Sequence, residues 1–334
     1  MGLEGQYADK GSGNAVGTTG QDDLVKTPQN VSIGATGVQY EISAADYTAV
    51  ITEQGATVRQ LRFRGRDLIV GFTVDEPVPD YRGALVAPWP NRIAGGRYTY
   101  EGRQLQLPVN EPKRDAALHG LVCEQPWTLV LSEPSGIRLR HAIRPSAGYP
   151  FSVLLDVTYR VDDVGFHTEV SATNTGDHTA PYGICPHPYL VAGKSALNSW
   201  SLELPADTFL EVTPDRLLPL GRRPAADGPF DFREARTLGG VEIDHPFTDL
   251  VRDPQGNATV RLTDPGGSGV GIRWDRSCDW VQVHTADHVV AERHRLGLAV
   301  EPMSCPPDAF NSGEDVVHLL PGATHIANWT IFAI

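Results

Sequence analysis

Val153, Leu155, Val157 and Tyr159 fall on one side of a period-two segment, and Val164, Phe166, Thr168, Val170 and Ala172 on one side of the next. Alternation of this kind puts every second side chain on one face of a strand, so the two runs, joined by the polar Val161-Asp162-Asp163 stretch, predict a pair of half-buried strands. The segment YTAVITEQGATVRQLRFRGRDLIVGF repeats the pattern and breaks at Gly55 and Gly65, the spacing of successive hairpins. No segment sustains an apolar i, i+3, i+4, i+7 stripe over three turns, and 34 Gly and 26 Pro serve as punctuation. Together these features predict an all-β sandwich.

Residues 1–30 contain GSGNAVGTTGQDD and few large apolar side chains, which predicts a flexible N-terminal tail. From Val31 to Ile334 no shift of composition marks a linker, so residues 31–334 are expected to form a single sandwich domain. Repeats of 20–50 residues are not evident, which argues against a propeller or solenoid.

Composition narrows the partners. The chain has 334 residues, 40% of them hydrophobic, and a formal net charge of −13. That charge repels phosphate backbones and anionic bilayers, so neither nucleic acid nor a membrane is expected as partner, and a small neutral ligand fits better. Cys123, Cys185, Cys278 and Cys305 lie far apart with no C-x-x-C pair, which indicates reduced thiols and a cytoplasmic setting. No apolar run approaches the roughly 20 residues that span a bilayer, and no signal-peptide pattern opens the chain.

Four places combine reactive side chains with backbone punctuation. In ICPHPYLVAG, His187 stands between Pro186 and Pro188, which restrict its backbone to an extended form. Such stiffness suits either a turn or a positioned imidazole. In APWPNRIAGGRYTYEGR, Asn91 and Arg92 set an amide beside a guanidinium after a proline, able to offer several donors to oxygen atoms or to form a salt-bridged loop; Trp89 nearby adds a flat apolar surface. In AALHGLV, His119 precedes Gly120, where the chain can turn tightly. In LAVEPMSCPPDAFNSG, Glu301 ends an apolar strand before Pro302, and a buried carboxylate is costly without partners or a task. Asp244, just before His245-Pro246, reads as a turn cap or a hydroxyl acceptor.

In this order, PNRI with a following glycine and aromatic, LHG, His-x-Tyr after a proline, DHPF, and VEP followed by PDAFN resemble the aldose 1-epimerase (galactose mutarotase) family over roughly residues 38–334. The resemblance implies a large antiparallel β-sandwich of the galactose mutarotase-like supersandwich type with an open cleft. It implies that the protein interconverts the α and β anomers of a hexose, with His187 as general acid, Glu301 as general base and His119 as a partner to the ring or anomeric oxygen. Arg92, Asn91, Asp244 and Gln282 in DWVQVHT would bind sugar hydroxyls. Tyr189-Leu190-Val191 stands where the better-known branch continues with Phe-Asn-Leu, and Trp89 precedes PNRI, so an uncharacterised bacterial branch looks nearer.

Anomer exchange needs a proton taken from the C1 hydroxyl and one given to the ring oxygen, with rotation in the open aldehyde between. No redox change occurs, so no cofactor and no metal are expected. A carboxylate near His187 is expected to keep part of the imidazole protonated at neutral pH, the acid and base lying on opposite sides of the anomeric centre. The alternatives are a non-catalytic carbohydrate-binding or sugar-sensing protein on the same fold, a glycoside hydrolase using Asp244 with Glu301, and a metal site at His284, His288 and His294. Four-residue histidine spacing converges only on a helix, and that stretch reads as strand and turn.

Overall fold

The computed structural model describes Met1 and residues 31–334, and the expected N-terminal tail therefore lies outside the described residues. Three antiparallel sheets dominate. One has nine strands in the spatial order Thr128–Glu133, Gly136–Ile143, Val153–Val161, Phe166–Asn174, Thr324–Ala333, Gly269–Trp274, Ala258–Thr263, Ser201–Glu203 and Arg236–Thr237. A six-stranded sheet runs Tyr189–Leu190, Leu298–Met303, Trp280–His284, Asp244–Leu250, Ala206–Val212 and Pro219–Pro224. The third contains the five strands Val31–Gly34, Gly37–Ala44, Tyr47–Thr52, Val58–Phe63 and Arg66–Asp67. Among the described residues the α-helix is confined to Ala309–Ser312, as the missing 3.6-residue stripe predicts.

The alternation read from the sequence is the pairing seen. Val157 lies opposite Val170 and Tyr159 opposite Thr168, all four buried on one face. Val164 is a correction: it lies in the turn before Phe166–Asn174 and is 52% exposed, because the strand begins two residues later. One continuous apolar cluster takes Ile42, Ile51 and Leu61 from the five-stranded sheet, Leu155 and Ile331 from the nine-stranded one, and Val281, Val283 and Val300 from the six-stranded one. Interdigitation of side chains from facing sheets is what holds such a sandwich together.

The register of the six-stranded sheet sets up everything functional. Gln282 pairs with Glu301, His284 with Ala299 and also with Asp244, so Asp244, Gln282, His284 and Glu301 share one face while Val281, Val283 and Val300 point into the core. A slip of one residue would turn the four polar groups into the core.

Glu301 does not end its strand, which continues through Pro302 to Met303. Pro302 is tolerated because its nitrogen lies on the side away from Trp280–His284. On that side the Val300 amide donates to the Pro188 carbonyl at 3.2 Å and the Ser304 amide to that of Ile184 at 3.1 Å, so the proline forfeits only the one bond between them and none to Trp280–His284.

Gly120 is needed for two reasons at once: its φ is +72°, and an added Cβ would lie 2.0 Å from the Ala87 carbonyl oxygen. Gly120→Ala is therefore expected to destabilise the protein by about 3–5 kcal/mol, from backbone strain and overpacking together. A fall in the urea midpoint at unchanged slope would show it; a midpoint within experimental error of the parent would contradict it.

Candidate active site

Five sequence segments converge on the polar face of Leu298–Met303. The His119 amide donates to the Asn91 carbonyl at 2.9 Å, the Asp308 amide to the Arg92 carbonyl at 2.7 Å, and the Ala94 amide to Asp308 Oδ1 at 2.9 Å. PNRI, LHG and PDAFN are thus one hydrogen-bonded unit. His187 is fixed from another direction: its amide donates to the Ala84 carbonyl at 2.9 Å and its carbonyl accepts from the Gly83 amide at 2.8 Å. These bonds, added to the two flanking prolines, leave its backbone little freedom.

At the centre His187 Nε2 lies 3.5 Å from Glu301 Oε1, with side chains 6% and 2% exposed. The rings of His119 and His187 meet nearly edge-on with centroids 4.9 Å apart, and Tyr189 stacks on His187 at 5.4 Å. Gln282 Nε2 donates to Asp244 Oδ1 at 2.7 Å. Glu111 binds Arg92 through both carboxylate oxygens, Nε to Oε2 at 2.7 Å and Nη2 to Oε1 at 3.0 Å, and Arg92 Nη1 donates to Asn91 Oδ1 at 3.3 Å. Such a fork holds the guanidinium plane fixed. All seven residues singled out in the sequence, Asn91, Arg92, His119, His187, Asp244, Gln282 and Glu301, therefore gather in one place.

Several polar atoms here have no protein partner although they are buried: Nδ1 of His119, Nδ1 of His187, Oε1 of Gln282 and Oε2 of Glu301. Buried polar atoms are normally satisfied, so a group of them at one spot is suited to a ligand rich in hydroxyls. Asp244 and His284, with side chains about one-third exposed, mark the open side.

The His187–Glu301 contact has the distance of an ion pair, yet charge separation is unfavourable in this setting. A single 3.5 Å contact cannot offset the desolvation of two charges in a dry wall. Burial, with the Asp244 charge adding to it, pushes the Glu301 carboxyl well above the usual carboxylate range, against the pull of Arg92. Burial, with His284 beside it, lowers His187 to about 3. His119 is held well below its ordinary value by burial, then by His187 and Arg92. Both shifts favour the uncharged pair, a protonated carboxyl beside a neutral imidazole. These directions run against the expectation of a partly protonated His187, because burial disfavours both the imidazolium and the carboxylate that would stabilise it.

Three further expectations change. His187 and Glu301 stand side by side, where opposite sides of an anomeric centre were expected; the two oxygens of an anomeric carbon share that one carbon, so neighbouring groups can reach both. Trp89 offers no stacking surface, being 3% exposed, packed edge-on against Phe310 and donating through Nε1 to the Ala117 carbonyl. Asp244 is no turn cap but opens the strand Asp244–Leu250. His284, His288 and His294 do not converge, and among the described residues no three His, Cys, Asp or Glu side chains are placed to hold a metal ion. All four cysteines are buried free thiols.

Sequence reasoning missed Glu111, Asp80 and Tyr81. Glu111 lies 19 positions from the arginine it fixes, so no local pattern connects them. Tyr81 packs against His119 with ring centroids 4.6 Å apart. Pro77 and Pro79, either side of Val78 and just before Asp80-Tyr81, were the one available signal of a constrained turn.

Residues 38–331 match the family model described as Aldose 1-epimerase. The chain is 33% identical to the uncharacterized protein YihR of Escherichia coli K12, over 92% of this chain and 98% of that one. It is 29% identical to mouse galactose mutarotase over 62% of this chain and 63% of the mouse protein. Among solved structures, an aldose epimerase homologue from C. elegans superimposes with a TM-score of 0.78 at 22% identity, covering 89% of this chain and 98% of that one.

Proposed function

Because the chain belongs to the aldose 1-epimerase family, we propose that Glu301 and His187 are the acid–base pair with which it interconverts the anomers of a hexose. The protein is an isomerase acting on a small sugar, and a purely sugar-binding role is not favoured. The observation that carries the site assignment is the buried 3.5 Å contact between Glu301 and His187, each with one unpartnered polar atom.

The reaction balances on a single proton held by the pair. That proton passes from Glu301 to His187, and the anomeric hydroxyl stabilises the new carboxylate by donating to it. Glu301 then takes the O1 proton while His187 delivers its own to the ring oxygen, the C1–O5 bond breaks and the open aldehyde forms. Rotation about C1–C2 and the reverse transfers close the other anomer and restore the proton to its starting place. His119 lies edge-on to the His187 ring and accepts from or donates to the oxygens at C1. Asn91, Arg92, Asp244 and Gln282 hold the remaining hydroxyls, with Asp244 and Gln282 already joined. No step requires a cofactor or metal.

The same reading takes residues 31–334 as one domain and places the protein in the cytoplasm, which the four free thiols support. Its acidic charge disfavours nucleic-acid or membrane partners. Among the described residues no helix is long and apolar enough to cross a membrane.

Polarimetry of freshly dissolved α-hexoses tests the assignment: wild-type protein accelerates the approach to anomeric equilibrium, and a rate equal to that of buffer alone would refute it. The one-proton state persists from about pH 3, where His187 charges, up to the raised value of Glu301. With His187 lowered to about 3, the kcat/KM profile is expected to show no limb near the ordinary histidine value. A limb near 6.5 would mean that the imidazole titrates freely.

A further inference from the structure

Pro79–Tyr81 form one 3₁₀ turn in which Asp80 and Tyr81 take φ of 48° and 57°. Two successive non-glycine residues in the left-handed region, one of them bulky, persist only where their surroundings enforce it, and such strain concentrates at functional sites. This turn reaches His187 by three routes. The Tyr81 ring lies 4.6 Å from that of His119 and 6.1 Å from that of His187. The Asp80 carbonyl accepts from the Tyr189 hydroxyl at 3.4 Å, and Tyr189 stacks on the His187 ring at 5.4 Å and 27°. Gly83 and Ala84, directly after the turn, make the two backbone bonds to His187. The Asp80 carboxylate is itself tied to Arg82 at 3.2 Å and to Arg293.

We propose that Tyr81 is a positioning residue whose ring, aimed inward by the left-handed turn, fixes the rotamers of His119 and His187 so that His187 Nε2 stays facing Glu301 through the proton exchange. The inference rests on the acid–base reading above. An aromatic ring is needed because flat, rigid contact with two imidazoles restrains both without adding a charge or a competing acceptor. Misplacing a reacting group by a fraction of its hydrogen-bond distance lowers kcat much more than it changes sugar binding.

The test compares Tyr81→Phe and Tyr81→Ala with the parent by polarimetry, resolving kcat, KM and the pH profile, with melting temperatures alongside. Tyr81→Phe is expected within about twofold of the parent in kcat, and Tyr81→Ala about 10–100-fold lower at a KM within about threefold. Freed of the ring and open to water, the imidazole in Tyr81→Ala should also acquire an acid limb in kcat/KM, set by the groups that face it: Glu301, His119, Asp244, His284 and Asp80. Tyr81→Leu gives the same comparison if the alanine variant does not fold. A lower melting temperature with parental kcat and pH profile would reduce Tyr81 to packing and overturn the proposal. So would a rise in KM alone, which would make it a sugar contact, or a loss in Tyr81→Phe equal to that in Tyr81→Ala, which would assign the effect to the hydroxyl. A wild-type protein that does not accelerate mutarotation would instead refute the acid–base assignment, and the positioning role with it.

Discussion

Glu301→Gln is expected to lower kcat for mutarotation by about 10²–10⁴-fold, the range of a lost positioned proton transfer, while making the protein more stable at pH 8. The second half follows from the direction in which burial moves the group. An unfolded chain releases the Glu301 proton near the ordinary 4.5, whereas the folded protein retains it to a much higher pH. Above 4.5 the unfolded state therefore binds fewer protons than the native one, and wild-type stability falls with rising pH by about 1.4 kcal/mol per unit until the native group ionises. Glutamine has the same shape and nothing to ionise. Its advantage in melting temperature should be present at pH 8 and vanish below about pH 4.5. Thermal melts at the two pH values, with polarimetry on the same samples, measure both halves. A variant that is inactive and also less stable at pH 8 would show that Glu301 is charged and paired in the resting protein.

His187→Asn should cost about 10²–10⁴-fold in kcat, and the double variant with Glu301→Gln should be no slower than the worse single one, because each group is useless without the other. Multiplicative losses would mean that the two act in separate steps. Here the stability signature lies on the acid side. Since His187 is lowered to about 3 in the folded protein, the unfolded chain takes up a proton first as pH drops through 6.5, and wild-type stability declines from there towards pH 3. The asparagine variant lacks that decline. Comparing midpoints of urea unfolding at pH 7 and pH 4.5 for the two proteins reads it directly.

Strands were visible in the sequence because a period-two pattern is local and 153–172 carries it over two full strands. Their ends were less so: Val164 continues the alternation on paper yet lies in the turn. Pro302 looked like a terminus because proline cannot donate to a ladder, and only the pairing of neighbouring strands shows that its nitrogen faces away from Trp280–His284 and costs a single bond. The site residues were legible as motifs, but their protonation was not. Whether a carboxylate near an imidazole is charged depends on how dry both are, and burial is a property of the assembled sheets rather than of spacing. Tyr81 was invisible for a related reason: its role comes from the sign of a backbone angle.

The register sets Asp244, Gln282 and His284 on the face that carries Glu301, while His187 arrives on a separate segment hydrogen-bonded to Gly83 and Ala84. Directed evolution toward new sugars would meet a coupling there: Asp244 and His284 also set the charge around Glu301 and His187, so a library confined to the Asp244–Leu250 and Trp280–His284 strands would retune the proposed acid–base pair along with the proposed hydroxyl contacts.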